Sequence, residues 1–325
     1  MTGAAGTLGL DYEALRTGVG AYRLPRDVVA VHGPDAPVYL QGQLSQDLDP
    51  LRTGMSAPAL LLEPDGKLAA LVRVTRTADG AYVLDTDAGF GEQVAARLLR
   101  FRLRTKVDVE PLAWPCVALR GAGASAPAAS PSAPPDQRQG PPWTLPVDWN
   151  GTRGLDRLGP GAEDGLPEAV RWVGDAAWEG LRVEAGIPAM GRELDERTIA
   201  AEAGLVDRTV SFTKGCYTGQ ELVARLDARG SRVARRLVGV VAASLPPEEA
   251  DVLLGASLWT GGRDTPVGRC TSAAVCPGLG AVGALAYLHR SVEVPADLTW
   301  TPAGAEHPDG RAGGRCEARP LPLVG

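Results

Sequence analysis

The chain has 325 residues, 44% of them hydrophobic, with 33 Lys and Arg against 39 Asp and Glu for a net charge of −6 and an isoelectric point near 5.3. That length exceeds one ordinary hydrophobic core and implies about two or three domains. The acidic balance excludes a general attraction to nucleic acid and leaves only a local basic patch for such a role. Five Cys without CxxC spacing, and only three His, argue against a disulfide scaffold, a zinc ribbon or a readable metal cluster. The first residues lack a basic start followed by an apolar core, and no run approaches the ~20 apolar residues of a membrane span, so a cytoplasmic protein is expected.

In chain order, apolar clusters at residues 28–31 and 68–75, and Tyr82-Val83-Leu84 after an Asp79-Gly80 turn signal, predict strands of a mixed sheet. Phe90, Val94, Leu98 and Phe101 recur at helical spacing and predict a helix whose apolar stripe packs on that sheet. Its other face carries Arg97 and Arg100, and Arg102, Arg104 and Lys106 continue the basic run. Such a run is either a solvated face or a basic lip for an anionic ligand tail or RNA. Residues 122–142 are dominated by Ala, Pro, Ser and Gly, which predicts a mobile surface insertion. Ala176 to Val183 resumes a helix-compatible pattern that runs into Glu184-Ala185-Gly186.

The densest chemistry lies in Lys214-Gly215-Cys216-Tyr217-Thr218-Gly219-Gln220-Glu221. Thr218 with Glu221 ahead of Leu222, Val223 and Leu226 predicts a capping box opening a helix that Gly230 closes. A helix start and the Lys214 ammonium both favour negative charge nearby, hence the nucleophilic or metal-binding thiolate form of Cys216. The alternative is an ordinary buried Cys in a tight loop. Beyond Val233 the pattern changes to short strands at 237–242, 257–259, 268–272, 280–288 and 316–320, separated by Gly and Pro, which predicts a small β-barrel.

The string KGCYTGQE, with Phe212 before it and Val223-Ala224-Arg225 after it, resembles the signature of the YgfZ family, folate-binding proteins of iron–sulfur cluster maintenance related to the glycine cleavage T protein. Residues 31–36, 40–44 with Asp47, and Leu181 to Pro188 are similar to the same families. The resemblance implies an α+β, T-protein-like fold, two α/β lobes plus a C-terminal β-barrel around a central cavity. In domains this gives an N-terminal lobe at 1–112, a second lobe at 113–230 carrying the motif, and the barrel at 231–325.

It further implies tetrahydrofolate or a folate derivative as ligand. Glu184, in the Leu-Arg-x-Glu-Ala-Gly string, is then the carboxylate that takes the pterin edge through paired hydrogen bonds. Arg225 best matches the motif extension as the cation for the glutamate tail, with Arg182, Arg229, Arg232 and Arg235 also within reach. Tyr217 either stacks on the ligand or fills a gap between domains. Gln220, Gln43 and Asp47, with Gln41, are expected around the cavity, and Cys216 with Lys214 forms the reactive group.

The implied function is an accessory factor for assembly or repair of iron–sulfur enzymes, those enzymes or their assembly machinery being its partners. A folate-dependent aminomethyl or methyl transferase and a tRNA-associated module are the alternatives. The T protein's Asn-Ala loop matches Leu84 to Gly89, where the Asn is absent and Asp85 and Asp87 remain. That departure weighs against aminomethyl transfer.

Overall fold

The computed structural model describes residues 2–78, 80–124, 142–228, 230, 232–261, 264–305 and 313–324. Helix α1 (Thr2–Arg16) leads through β1 (Gly20–Arg23) and β2 (Arg26–His32) to α2 (Ala36–Gln43). Strands β3 (Ser56–Leu62), β4 (Leu68–Ala78) and β5 (Ala81–Asp87) precede α3 (Gly91–Arg100), β6 (Asp108–Leu112) and β7 (Cys116–Arg120). Then come β8 (Trp143–Trp149), β9 (Thr152–Leu158), β10 (Arg171–Trp172), α4 (Asp175–Ala185), α5 (Val206–Thr209) and α6 (Gln220–Asp227). The last strands are β11 (Arg235–Ala242), β12 (Ser257–Trp259), β13 (Gly268–Cys276), β14 (Ala281–His289), β15 (Ala296–Thr301) and β16 (Gly314–Arg319).

These strands form two open five-stranded sheets and one closed barrel. The first sheet runs β3-β4-β5-β2-β6 and is antiparallel throughout. The predicted helix is α3, which buries Val94, Ala95 and Leu98 in the same cluster as Leu60, Leu62, Val74 and Leu84 of the sheet. A fully buried leucine such as Leu98 contributes about 1.5 to 3 kcal/mol. Phe90 at the start of α3 offers no capping side chain. Asp27 on β2 supplies one instead, its Oδ2 accepting from the amides of Gly89 at 2.9 Å and Gly91 at 2.8 Å.

The second sheet runs β10-β1-β7-β9-β8. Strand β1 lies between strands that follow it by about 100 and 150 residues, antiparallel to β7 and parallel to β10, so the sheets are not contiguous in sequence. The barrel closes in the order β11-β14-β13-β12-β15-β16. Strand β15 is absent from the sequence-based expectation; its alternating Leu298 and Trp300 point into the barrel core. Among the described residues no helix is long and apolar enough to cross a membrane. Most of the expected Pro-rich insertion, residues 125–141, lies outside the described residues.

One local expectation is overturned. Helix α6 begins at Gln220 behind Gly219, whose φ is +83°, and no side chain caps it. The Thr218–Glu221 capping box does not form, because Thr218 turns the other way and donates its amide to the Gly42 carbonyl at 3.0 Å.

Candidate functional site

A cavity of about 550 Å³ lies between the two open sheets, with α4 and residues 187–189 along one side. Apolar walls come from Leu24, Leu71, Val72, Val147, Ile187 and Pro188. Tyr22 of β1 and Trp178 of α4 stack within it, ring centroids 4.6 Å apart and planes 12° from parallel. The pairing of β1 with β7 and β10 brings Tyr22 to this position.

Beneath the walls runs an alternating chain of charges. Arg120 pairs with Asp156 at 2.8 Å, Asp156 with Arg73 at 2.6 Å, Arg73 with Asp85 at 2.9 Å, Asp85 with Arg26 at 2.8 Å, and Arg26 with Asp87 at 2.6 Å. Burial alone would discharge these groups. Burial opposes the Asp156 charge, but Arg120 and Arg73 outweigh it and hold its pKa below the ordinary value. Likewise the attraction of Asp85 and Asp156 overcomes burial at Arg73 and raises its pKa. Removing one member of such a chain leaves a buried charge unpaired, which costs about 3 to 5 kcal/mol.

Asp87, at the end of that chain and 29% exposed in its side chain, lines the cavity. Its Oδ1 accepts from Arg26 and its Oδ2 from the Met190 amide at 2.9 Å. A carboxylate has about four acceptor positions, so each Asp87 oxygen keeps one unused. A second ionic cluster stands opposite: Glu179 accepts from Arg182 at 2.7 and 2.9 Å and from Arg192 at 2.5 Å. Burial raises the Glu179 pKa, but hydrogen bonds and attraction from these arginines prevail and lower it. Arg182 also reaches Glu193 and Ser272, which ties this wall to the barrel.

The residues expected from sequence fall elsewhere. Glu184, at the end of α4, is 1% exposed and absent from the cavity lining. Its carboxylate accepts from the Tyr12 hydroxyl and from the Gly278 amide at 2.8 Å. The backbone explains this position: α4 ends at Gly186 in the left-handed region, and the turn of helix holding Glu184 faces α1 and the barrel hairpin. Burial raises its pKa against the lowering effect of those hydrogen bonds.

The motif packs on the first sheet. Lys214 Nζ donates to the carbonyls of Gln41, Leu44 and Gln46 at 2.7, 2.8 and 2.8 Å, and burial lowers its pKa to about 8 against the pull of Asp47 and Asp49. Tyr217 is buried in the sheet's core cluster; it fills the interior and does not face the cavity. Gln220 Oε1 accepts from the Tyr217 amide at 3.2 Å. Gln43 accepts from Arg97, and Asp47 from Gln41 at 2.7 Å, which lowers its pKa. Arg225 is exposed on α6. None of these lines the cavity.

What the motif leaves outside is Cys216, exposed while the other four cysteines are buried. Its two expected partners are otherwise engaged: the helix starts only at Gln220, and the Lys214 ammonium is held by three carbonyls. The motif and the cavity sit at opposite ends of β3, since Pro58 lines the cavity and a Cβ on Gly219 would touch Leu62 at 2.7 Å. Four strand residues separate those points by about 13 Å. The basic run is also partly internal, because Arg97 is 4% exposed and donates to the Leu62 carbonyl at 2.5 Å. Among the described residues no cluster of three potential metal ligands occurs.

No family model matches the chain. It is 27% identical over 207 residues to an uncharacterized protein of Haemophilus influenzae, across 63% of this chain and 67% of that one. It is 30% identical over 219 residues to the tRNA-modifying protein YgfZ of Edwardsiella ictaluri, across 62% and 65% respectively. The chain thus spans about two thirds of the length of the relatives it matches. In structure it resembles the glycine cleavage system aminomethyltransferase T of Bartonella henselae, with a TM-score of 0.80 at 22% identity, covering 98% of this chain and 89% of that one.

Proposed function

From the resemblance of this chain to the YgfZ proteins and from its T-protein fold, we propose that it binds a reduced folate between its two open sheets and serves as an accessory factor for assembly or repair of iron–sulfur enzymes. The cavity carries this reading. Its ≈550 Å³ falls within the range of about 300 to 1,000 Å³ typical of small-molecule sites.

The wall residues suit each part of tetrahydrofolate. The free acceptor positions of Asp87 match the parallel N–H groups of a pterin amino group and its neighbouring ring nitrogen. Asp87 takes the part expected of Glu184. Tyr22 and Trp178 offer a flat aromatic surface to the ring systems. Arg208, 4.3 Å over the Trp149 ring, donates to the Asp148 carbonyl and Asn150 Oδ1 and pairs with no carboxylate among the described residues, so its charge is available to the glutamate tail. Bound tetrahydrofolate would supply a one-carbon carrier; the protein's groups orient it and exclude water.

Cys216 is the reactive thiol of the proposal. Its separation from the cavity favours action on a partner, as a transient cluster ligand or in resolving a damaged cluster sulfur, over attack on a folate-borne carbon. The test is made in cells lacking the protein: the native chain restores iron–sulfur enzyme activity and Cys216→Ser does not. Full restoration by Cys216→Ser removes the thiol from the account. A folate-dependent aminomethyl or methyl transferase is the second reading, favoured by the Asp87 carboxylate inside the cavity. It requires turnover of an aminomethyl or methyl donor with tetrahydrofolate. The tRNA-associated reading loses support from the inward turn of Arg97.

A further inference from the structure

Leu103, in the turn after α3, has a φ of +46° and is 87% exposed. A left-handed backbone is unfavourable for a leucine, and an exposed leucine side chain gains nothing from burial, so nothing within this chain compensates the arrangement. The turn is nonetheless firmly built. Its Arg102 carbonyl accepts from the Thr105 amide at 3.0 Å, and Arg102 Nη1 donates to the Val107 carbonyl at 3.2 Å.

The surroundings of Leu103 are apolar and basic. Arg100, Arg102, Arg104 and Lys106 follow one another with no acid between them. Arg100 has Glu63 at 3.9 Å, and Arg104 and Lys106 form no ion pair among the described residues. Asp35 Oδ2 accepts from the Lys106 amide at 2.7 Å, which brings the first turn of α2 alongside with Val38, 80% exposed. Leu99 at the end of α3 is exposed as well. Apolar side chains grouped within a ring of cations mark a contact surface rather than scattered exposure.

The barrel carries the converse. Residues Pro247–Leu253 form a short 3-10 helix in which side chains three apart eclipse one another. Ala250 and Leu253 turn into the barrel core. That phase sends Glu248 with Asp251, and Glu249 with Val252, outward, and Leu254 follows them to the surface. From residue 243 to 262 there is no Lys or Arg. Arg269 lies beside Gly255 at the margin and forms no ion pair with these acids among the described residues.

We infer that the Leu103 face docks the Pro247–Leu254 face of a second copy of this chain, head to tail. Leu103 and Val38 meet Val252 and Leu254, while Arg100, Arg104 and Lys106 meet Glu248, Glu249 and Asp251. Complementary charge around an apolar centre fixes the register of such a contact. The two faces differ, so each added copy leaves one of each kind free and association continues past the pair. The inference is independent of the folate reading.

Analytical ultracentrifugation of the full chain tests it, at concentrations up to about 1 mM. The native chain associates with rising concentration, and less so in about 1 M salt, where charges are screened beyond about 3 Å. Leu103→Glu and Glu249→Arg, both at exposed positions, each weaken association about tenfold. Their equimolar mixture recovers it and stops at the pair, because each variant supplies the face the other lacks. A native chain that stays monomeric throughout overturns the inference, as does association that neither variant weakens or a mixture that recovers nothing. Leu103-dependent binding of a monomeric native chain to vesicles of anionic lipid would assign the face to a membrane surface and overturn it likewise.

Discussion

Gly66 and Gly219 meet where the turn after β3 presses against the entry to α6, and neither position has room for a side chain. A Cβ on Gly66 would stand 2.4 Å from Leu222 Cβ, and one on Gly219 would stand 2.6 Å from the Glu63 carbonyl oxygen. Both residues have positive φ, +84° and +83°. The motif's glycine and lysine thus serve as a clasp that holds Cys216 outward. Overpacking and left-handed backbone together predict that Gly219→Ala loses about 2 to 4 kcal/mol in urea denaturation. A loss below that of an ordinary surface substitution would mean the clasp is loose.

The clasp also predicts which thiol reacts. Burial pushes the thiols of Cys116 and Cys316 up to about 12, and raises those of Cys270 and Cys276 as well. Alkylation of the native protein followed by mass spectrometry should modify Cys216 alone, and all five after denaturation. Modification of a barrel cysteine at a similar rate contradicts the burial described here.

Arg97 and Arg100 are neighbours in one basic run with opposite fates. Arg97 is buried and bonded to Leu62 and Gln43, whereas the Arg100 side chain is 70% exposed. Arg97→Ala should cost about 3 kcal/mol by leaving buried acceptors unpaired, and Arg100→Ala less than about 0.5 kcal/mol. Equal effects in thermal unfolding would show that the run is a solvated face throughout.

Glu184 gives a pH dependence. Burial raises its folded-state pKa above the ordinary 4.5, so between that value and the raised one the folded state holds a proton that the unfolded state has released. Its contribution to stability is present below pH 4.5 and is lost as pH rises toward the folded-state pKa. Glu184→Gln, which keeps an acceptor for Tyr12, should therefore gain on the native chain as pH rises from acid to neutral. Folate affinity should stay unchanged. A Glu184→Gln variant that folds normally yet loses folate would return Glu184 to the cavity.

Five of the six barrel strands, all but β15, and α3 were legible in the sequence because apolar period and Gly or Pro punctuation coincide there. Motif resemblance likewise gave the T-protein architecture. It could not place β1 beside β7 and β10, since those pairings join residues about 100 and 150 positions apart. That pairing positions Tyr22 for its stack on Trp178, while the Arg26-to-Arg120 charge chain crosses between the sheets through the Arg73–Asp156 pair. Company in sequence points to Glu184 as a ligand contact and leaves Tyr217 between ligand and interior; helix phase and core packing bury both. Asp87 had a signal, as one of two acids kept in the Asn-Ala segment, and only the structure shows that it opens into the cavity.

On the proposed function a folate occupies the cavity with Asp87 against its pterin. Trp149 and Trp178 line that cavity, so titration with tetrahydrofolate can be followed by tryptophan fluorescence in the native chain, Asp87→Ala and Cys216→Ser. Saturable quenching is expected, with a loss of about 1 to 3 kcal/mol of binding in Asp87→Ala and native affinity in Cys216→Ser. Native affinity in Asp87→Ala, or no saturable binding to the native chain, would contradict it.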